Sequence, residues 1–165
     1  GIRSFIEETH EARLAMLKGK FSVSERVAGM KILLIDDSFI RGNTTSVLIE
    51  ILREAGVLEA HVALGSPMFI ETCDLGVDIA SRSELKALEK EGLGYKIKTP
   101  GQSAEEIGAD SVHFLSLDGL IDSIDGEPLA FCTNCLTGVH PIEELGESAD
   151  QIFRTNPYIL EVSGS

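Results

Sequence analysis

Residues 31–64 limit what this chain can fold into more than any other stretch. Lys31-Ile-Leu-Leu-Ile35 is an apolar run of strand length that ends in Asp36 and Asp37. Runs of this kind are characteristic of strands buried on both faces, so a central strand is expected here. After a short loop containing Gly42, Thr44 or Thr45 is placed to start a helix. Its Val47, Leu48, Ile51, Leu52 and Ala55 recur at helical spacing until Gly56 ends it. Glu59–Leu64 (EAHVAL) then reads as a second strand. Strand, helix and strand in so short a span make a βαβ unit, which implies a parallel pair joined by a right-handed crossover.

The same alternation continues downstream. Ser81-x-x-Glu84 has the form of a capping box and predicts a helix closed by Gly92, and Ser103-x-x-Glu106 predicts a short one before the strand Ser111–Leu115. Ser116 to Ile124 carries Leu117, Leu120, Ile121 and Ile124 on one helical side, and Asp125-Gly126-Glu127-Pro128 then turns the chain. Upstream, Ser4-x-x-Glu7 opens a predicted helix to about Leu17, with Ile6, Leu14 and Leu17 apolar. No internal repeat, low-complexity tract or linker interrupts the chain. The expected fold class is α/β, a mostly parallel sheet with flanking helices and an irregular C-terminal segment that carries cysteines.

Composition narrows the partners. With 165 residues, 43% hydrophobic and 25% charged, the chain has the make-up of a single globular unit. Fourteen Lys and Arg against twenty-seven Asp and Glu leave a net charge of −13, a field that repels nucleic acid, anionic lipid and phosphate-bearing substrates. No apolar run approaches the ~20 residues that span a bilayer, and the first residues lack the apolar stretch of a signal peptide. A cytoplasmic protein without nucleic-acid or membrane partners is expected, and any anion it binds must be held locally.

Ile32 to Thr45 (ILLIDDSFIRGNTT) supplies such a place. Open α/β sheets bind ligands at the carboxyl ends of their strands, where Asp36 and Asp37 stand. A loop that ends at a helix N-terminus presents unpaired backbone N–H groups and the positive end of the helix dipole. Ser38, Thr44 and Thr45 add hydroxyls, and Gly42 allows close approach of a phosphate to the backbone. Adjacent carboxylates accept vicinal hydroxyls or hold a hard cation such as Mg²⁺. The combination suits a phosphorylated sugar, although two aspartates before a helix also describe a solvated βα turn. Neither a Walker A loop nor a G-x-G-x-x-G fingerprint is present, which disfavours those nucleotide-binding classes.

The run IDDSFIRGNTT closely resembles the phosphoribosyl-pyrophosphate (PRPP) loop of the glutamine amidophosphoribosyltransferases, which commit PRPP to purine synthesis. Arg3-Ser-Phe-Ile6, Leu52-Arg-Glu-Ala-Gly56, Gly65-Ser-Pro67, Gly76-Val-Asp78, Ser83-Glu-Leu85, Ile107-Gly-Ala-Asp110 and Thr137-Gly138 follow the order of similar words in that family, so the resemblance runs from Arg3 to about Ile142. It implies a type I phosphoribosyltransferase-like fold, with residues 1–125 as a partial phosphoribosyltransferase domain and residues 126–165 as a cysteine-containing segment packed on it. Asp36 and Asp37 would engage the ribose hydroxyls and Mg²⁺-bound PRPP. Ser38, Phe39, Ile40, Arg41, Gly42, Asn43 and Thr44 would wrap the 5′-phosphate, and Lys20 would reach the pyrophosphate. The two aspartates are then substrate binders, and no catalytic residue is assigned. Asn43 departs from the family's usual threonine, but its amide can still donate to phosphate.

Cys132-Thr-Asn-Cys135 alone admits half a zinc site, a redox pair or a pair of cluster ligands, and Cys73 alone reads equally as a small buried residue. One subgroup of the resembled family holds a [4Fe–4S] cluster with four cysteines. Phe131–Pro141 (FCTNCLTGVHP) looks like its C-x-x-C segment, and Cys73 matches a third ligand. The fourth lies before the point where this chain begins, as does a glutaminase domain with an N-terminal cysteine. His140 is a nearby alternative donor for zinc. The resemblance therefore implies the C-terminal portion of an amidophosphoribosyltransferase whose missing N-terminal glutaminase and phosphoribosyltransferase portion is a partner, with a homo-oligomer as the complete enzyme. The alternative is a non-catalytic PRPP- or nucleotide-sensing module on the same fold.

Overall fold

The structure is a computed structural model that describes residue 21 and residues 23–73, 76–124 and 131–139. The predicted helix from Ser4 to Leu17, Lys20, the Asp125–Pro128 turn and His140 lie outside the described residues. Strand β1 (Lys31–Asp36), helix α1 (Asn43–Glu54) and strand β2 (Glu59–Leu64) form the expected βαβ unit, with β1 parallel to β2. Strand β5 (Ser111–Phe114) adds in parallel on the far side of β2, so the order is β1-β2-β5.

Strand alternation divides this sheet into two unlike faces. Ala60, Val62, Leu64 and Val112 are buried against Ile49 of α1 and against Ala104 and Ile107 of α2 (Pro100–Ile107), with Ile32 and Leu34 at the margin. On the other face the register aligns Leu33 with His61 and Ser111, and Ile35 with Ala63 and His113. There Leu33 is 57% and Ile35 74% exposed. The expectation of a central strand buried on both faces is thus corrected: among the described residues β1 pairs with β2 alone and is an edge strand, and one face of the sheet is left uncovered. His61 links across the bare face, its Nδ1 2.8 Å from Ser111 Oγ and its Nε2 3.1 Å from Glu59 Oε2.

Asp110 staples the start of β2. Its backbone N–H donates to Ala60 O at 2.8 Å, and its Oδ2 accepts from Ala60 N–H at 2.7 Å and from Arg53 Nη2 at 2.8 Å.

Two helix expectations change. Ser81 and Glu84 do form a capping box, but it closes a single 3₁₀ turn, Arg82–Glu84. The next backbone donor, Lys86 N–H, goes to Ile40 O at 2.7 Å instead of to the preceding turn, so the helical ladder stops. The chain continues as the antiparallel hairpin β3 (Leu88–Glu91) and β4 (Gly94–Ile97), with Gly92 in its turn at φ 59°. Helix α2 begins earlier than predicted, with Thr99 as N-cap, Pro100 in its first turn and Gln102 completing the box. Ser103 is consequently interior and fully buried. Helix α3 (Leu117–Ser123) follows β5 with Ser116 as its cap, close to expectation, and α4 (Asn134–Thr137) is a short helix that the sequence did not signal. No described helix is long and apolar enough to cross a membrane.

Candidate functional site

The carboxyl end of β1 runs directly into a cavity of about 390 Å³ lined by Asp36–Ser38 and Ile40–Thr45. Strand geometry brings Asp36 to the rim. Its Oδ1 accepts from the Asp37 N–H at 3.0 Å and its Oδ2 accepts from the Thr45 hydroxyl at 3.0 Å. Thr45 was expected to face an anion. Instead it is 2% exposed and orients Asp36, because α1 starts at Asn43 and this turns position 45 inward. Asp37 is exposed, and its Oδ1 is 3.4 Å from the Ser38 hydroxyl donor.

Gly42 caps α1 at φ 64° with no side-chain hydrogen bond, so the first-turn N–H groups of Thr44 and Thr45 have no acceptor from within the helix. A Cβ on Gly42 would stand 2.9 Å from the Phe39 ring and 2.8 Å from Lys86 Cγ, so both conformation and space require glycine. Of the residues predicted to wrap a phosphate, Phe39 does not line the cavity. Its ring is buried, edge-on to Phe114 at 6.1 Å, and anchors the loop to the core. Ile40 packs its side chain against Ile79, Leu85 and Leu88. Arg41 lines the cavity, while its Nε and Nη2 donate to Glu84 Oε2 at 2.8 and 2.5 Å and its Nη2 donates to Asp78 O at 3.0 Å. Glu84, Asp78 and Lys86 were not singled out as site residues. Glu84 lies 43 positions from Arg41, a separation no local pattern reports.

The donor set fits a hard cation. Mg²⁺ takes one or two carboxylates and fills its remaining positions with water or substrate phosphate, and Asp36 and Asp37 are adjacent oxygen donors at the cavity.

The cysteines form a second locus. Ile70 N–H and Glu71 N–H both donate to Cys135 O, at 2.8 and 3.2 Å, and Cys73 N–H donates to Ile79 O at 3.2 Å. This brings the C-x-x-C segment to the loop that carries Cys73. Burial pushes the Cys135 thiol pKa up, and the neighbouring Cys73 and Cys132 push it further. The Arg82 guanidinium holds Glu71 down to about 2, against its partial burial, and so fixes the same loop. Three soft donors of the type that hold iron–sulfur clusters or zinc are therefore neighbours. Still, among the described residues no three His, Cys, Asp or Glu side chains are arranged to hold a metal ion.

No protein-family model matches the chain. Curated relatives do. The amidophosphoribosyltransferase of Drosophila melanogaster is 36% identical over 150 residues, which is 84% of this chain and 26% of the relative. That of Archaeoglobus fulgidus is 32% identical over 151 residues, 90% of this chain and 31% of the relative. Among solved structures, a glutamine PRPP amidotransferase from B. subtilis complexed with ADP and GMP superposes with a TM-score of 0.61 at 32% identity, covering 77% of this chain and 28% of that one. A structure described as the allosteric regulatory enzyme of purine biosynthesis gives 0.60 at 29% identity, covering 86% and 30%. The chain spans 26 to 31% of the length of these two curated relatives. Over that shared region it is similar, in sequence and in fold, to amidophosphoribosyltransferases.

Proposed function

We propose that this chain is the PRPP-holding part of an amidophosphoribosyltransferase of purine synthesis. In this reading residues 1–125 belong to the phosphoribosyltransferase domain and residues 126–165 are a cysteine-bearing segment. The observation that carries the reading is the single cavity in which two adjacent carboxylates, a glycine-containing loop and the first turn of a helix meet at a strand end.

Asp36 and Asp37 hold the vicinal ribose hydroxyls, with Thr45 fixing the Asp36 carboxylate, and the backbone of residues 38–44 surrounds the 5′-phosphate. By the resemblance Lys20, outside the described residues, would serve the pyrophosphate. Mg²⁺ held there by Asp36 and Asp37 would supply charge neutralisation for the leaving pyrophosphate. With the sugar held in place, ammonia forms a bond to the anomeric carbon as the bond to pyrophosphate breaks, with inversion. The pyrophosphate leaves with the electron pair and the nitrogen gives up a proton to water. The contribution of this chain is positioning and local charge, and no residue acts as general acid or base.

A further polypeptide portion completes the enzyme. The chain matches only 26 to 31% of those relatives, and the sheet face of Leu33 and Ile35, uncovered among the described residues, is one that parallel sheets normally cover. That portion supplies the glutaminase and the rest of the pocket, within a cytoplasmic homo-oligomer. By the resemblance, Cys73, Cys132 and Cys135 would supply three ligands of a [4Fe–4S] cluster and the other portion the fourth, on rearrangement from the positions they hold here.

Calorimetric titration of the complete protein with PRPP in excess Mg²⁺ tests the reading. Saturable binding is expected, together with ammonia-dependent release of pyrophosphate. Both are expected to vanish in the Asp36→Asn, Asp37→Asn double variant. Unchanged affinity in that variant sinks the assignment, and binding without turnover transfers the chain to the sensing class.

A further inference from the structure

The loop that lines the candidate phosphate cavity is held from outside the cavity. Three consecutive residues are each tied to segment 78–86 by a different kind of contact. Ile40 O accepts from Lys86 N–H at 2.7 Å, and the Ile40 side chain packs on Ile79 and Leu85. Arg41 donates through Nε and Nη2 to Glu84 Oε2 and through Nη2 to Asp78 O. Gly42 meets Lys86 so closely that a Cβ would stand 2.8 Å from its Cγ.

Glu84 is itself immobilised. Its Oε1 accepts from Ser81 N–H at 3.1 Å as half of the capping box, while its Oε2 serves Arg41. The guanidinium beside it holds the Glu84 carboxyl below its ordinary range, so the pair stays charged through neutral pH. One carboxylate thus closes a local turn with one oxygen and grips the loop with the other. Arg41 lines both the loop cavity and a neighbouring one of about 430 Å³ that includes Glu84, Lys86 and Lys98, so it stands in the wall between them.

We propose that Arg41 and Glu84 are a positioning pair, and that Arg41 serves anion binding by setting the course of the 37–42 backbone and not by placing its guanidinium on the phosphate. This rests on the reading of that loop as a phosphate site. The physical reason is preorganisation: backbone N–H groups bind an anion well only if they converge before it arrives, and an ion pair in the cavity wall, anchored on Glu84 beyond it, keeps them converged without occupying the anion's place. A free arginine in the cavity would instead add charge at the cost of ordering a long side chain at each binding event.

The experiment has two arms. The first is hydrogen exchange on the unliganded chain, for the wild type, Arg41→Gln, Glu84→Gln and the double variant. Both single variants are expected to speed exchange of the 38–42 amides to the same extent, and the double variant no further, with the amides of β2 and the thermal midpoint unchanged. No loop-confined acceleration overturns the proposal. The second arm measures PRPP affinity of the complete protein with Mg²⁺. Each single variant is expected to weaken binding by about fivefold, the loss that matches one part-exposed ion pair, and the double variant by no more. If Arg41→Gln weakens binding far more than that while Glu84→Gln leaves it intact, the guanidinium contacts the anion and the proposal fails. Should either Gln variant fail to fold, Glu84→Asp, which keeps the charge but shortens the reach, is expected to accelerate the same amides. Wild-type protein that binds no PRPP would refute the functional reading and leave the exchange arm to decide the positioning pair.

Discussion

The Thr45 hydroxyl donates to Asp36 Oδ2 at 3.0 Å and so joins the first turn of α1 to the last residue of β1. Strand, loop and helix are closed into one ring by this bond, and the carboxylate that faces the cavity is held in a single orientation.

Thr45→Val keeps the shape of this buried residue and removes the donor. It is expected to cost about 1 kcal/mol in chemical denaturation and to weaken Mg²⁺-dependent PRPP binding by the complete protein, whereas Thr45→Ser retains both. Unaltered PRPP affinity in the valine variant would show that Asp36 needs no such partner.

The cysteine locus is tested by composition. Complete protein prepared without oxygen is expected to contain iron and acid-labile sulfide in equal amounts, at four of each per chain as a [4Fe–4S] cluster requires. Cys135→Ser is expected to lose both. Zinc bound in place of iron and sulfide would make the locus a zinc site.

Asp110 links α1, β2 and β5 through one carboxylate. Its pKa lies below the usual 3.8, first because the Ala60 N–H donates to it and then because Arg53 does. A carboxyl whose folded pKa is depressed contributes stability above its unfolded pKa and loses that contribution as pH falls through the folded value. The stability gap between wild type and Asp110→Asn is therefore expected to be full at pH 6 and to close below the usual value of 3.8. Urea titrations at stepped pH would show it, and a gap independent of pH would mean that the charge plays no part.

Ser103 is fully buried in α2, and its hydroxyl has no hydrogen-bond partner among the described residues. Ser103→Ala removes that unpaired group and improves helix propensity, so a gain of about 1 kcal/mol is expected in denaturant unfolding. A loss would reveal a partner for the hydroxyl.

Much of the site was legible from local pattern. The apolar run, the paired aspartates, Gly42 and the following helix are consecutive, and their chemistry follows from backbone geometry that neighbouring residues enforce on one another. The role of Thr45 was misread because facing depends on where the helix begins: with Gly42 as cap and Asn43 as first residue, position 45 turns inward toward Asp36. The segment after Glu84 was misread for a related reason. Its capping box is real, but one backbone donor, Lys86 N–H, is captured by Ile40 from across the fold, and a hairpin takes the place of a helix.

By itself the sequence determined the βαβ unit, the run of carboxylates, glycine and hydroxyls from Asp36 to Thr44 and the likeness to the amidophosphoribosyltransferases, because all three are written in spacing and in consecutive residues. Only tertiary structure decided that β1 is, among the described residues, an edge strand with one uncovered face, that Arg41 turns to Glu84, and that Cys73 lies beside Cys135. Those depend on which distant groups meet. The energy of such a meeting belongs to the pair, and neither residue's local sequence records it.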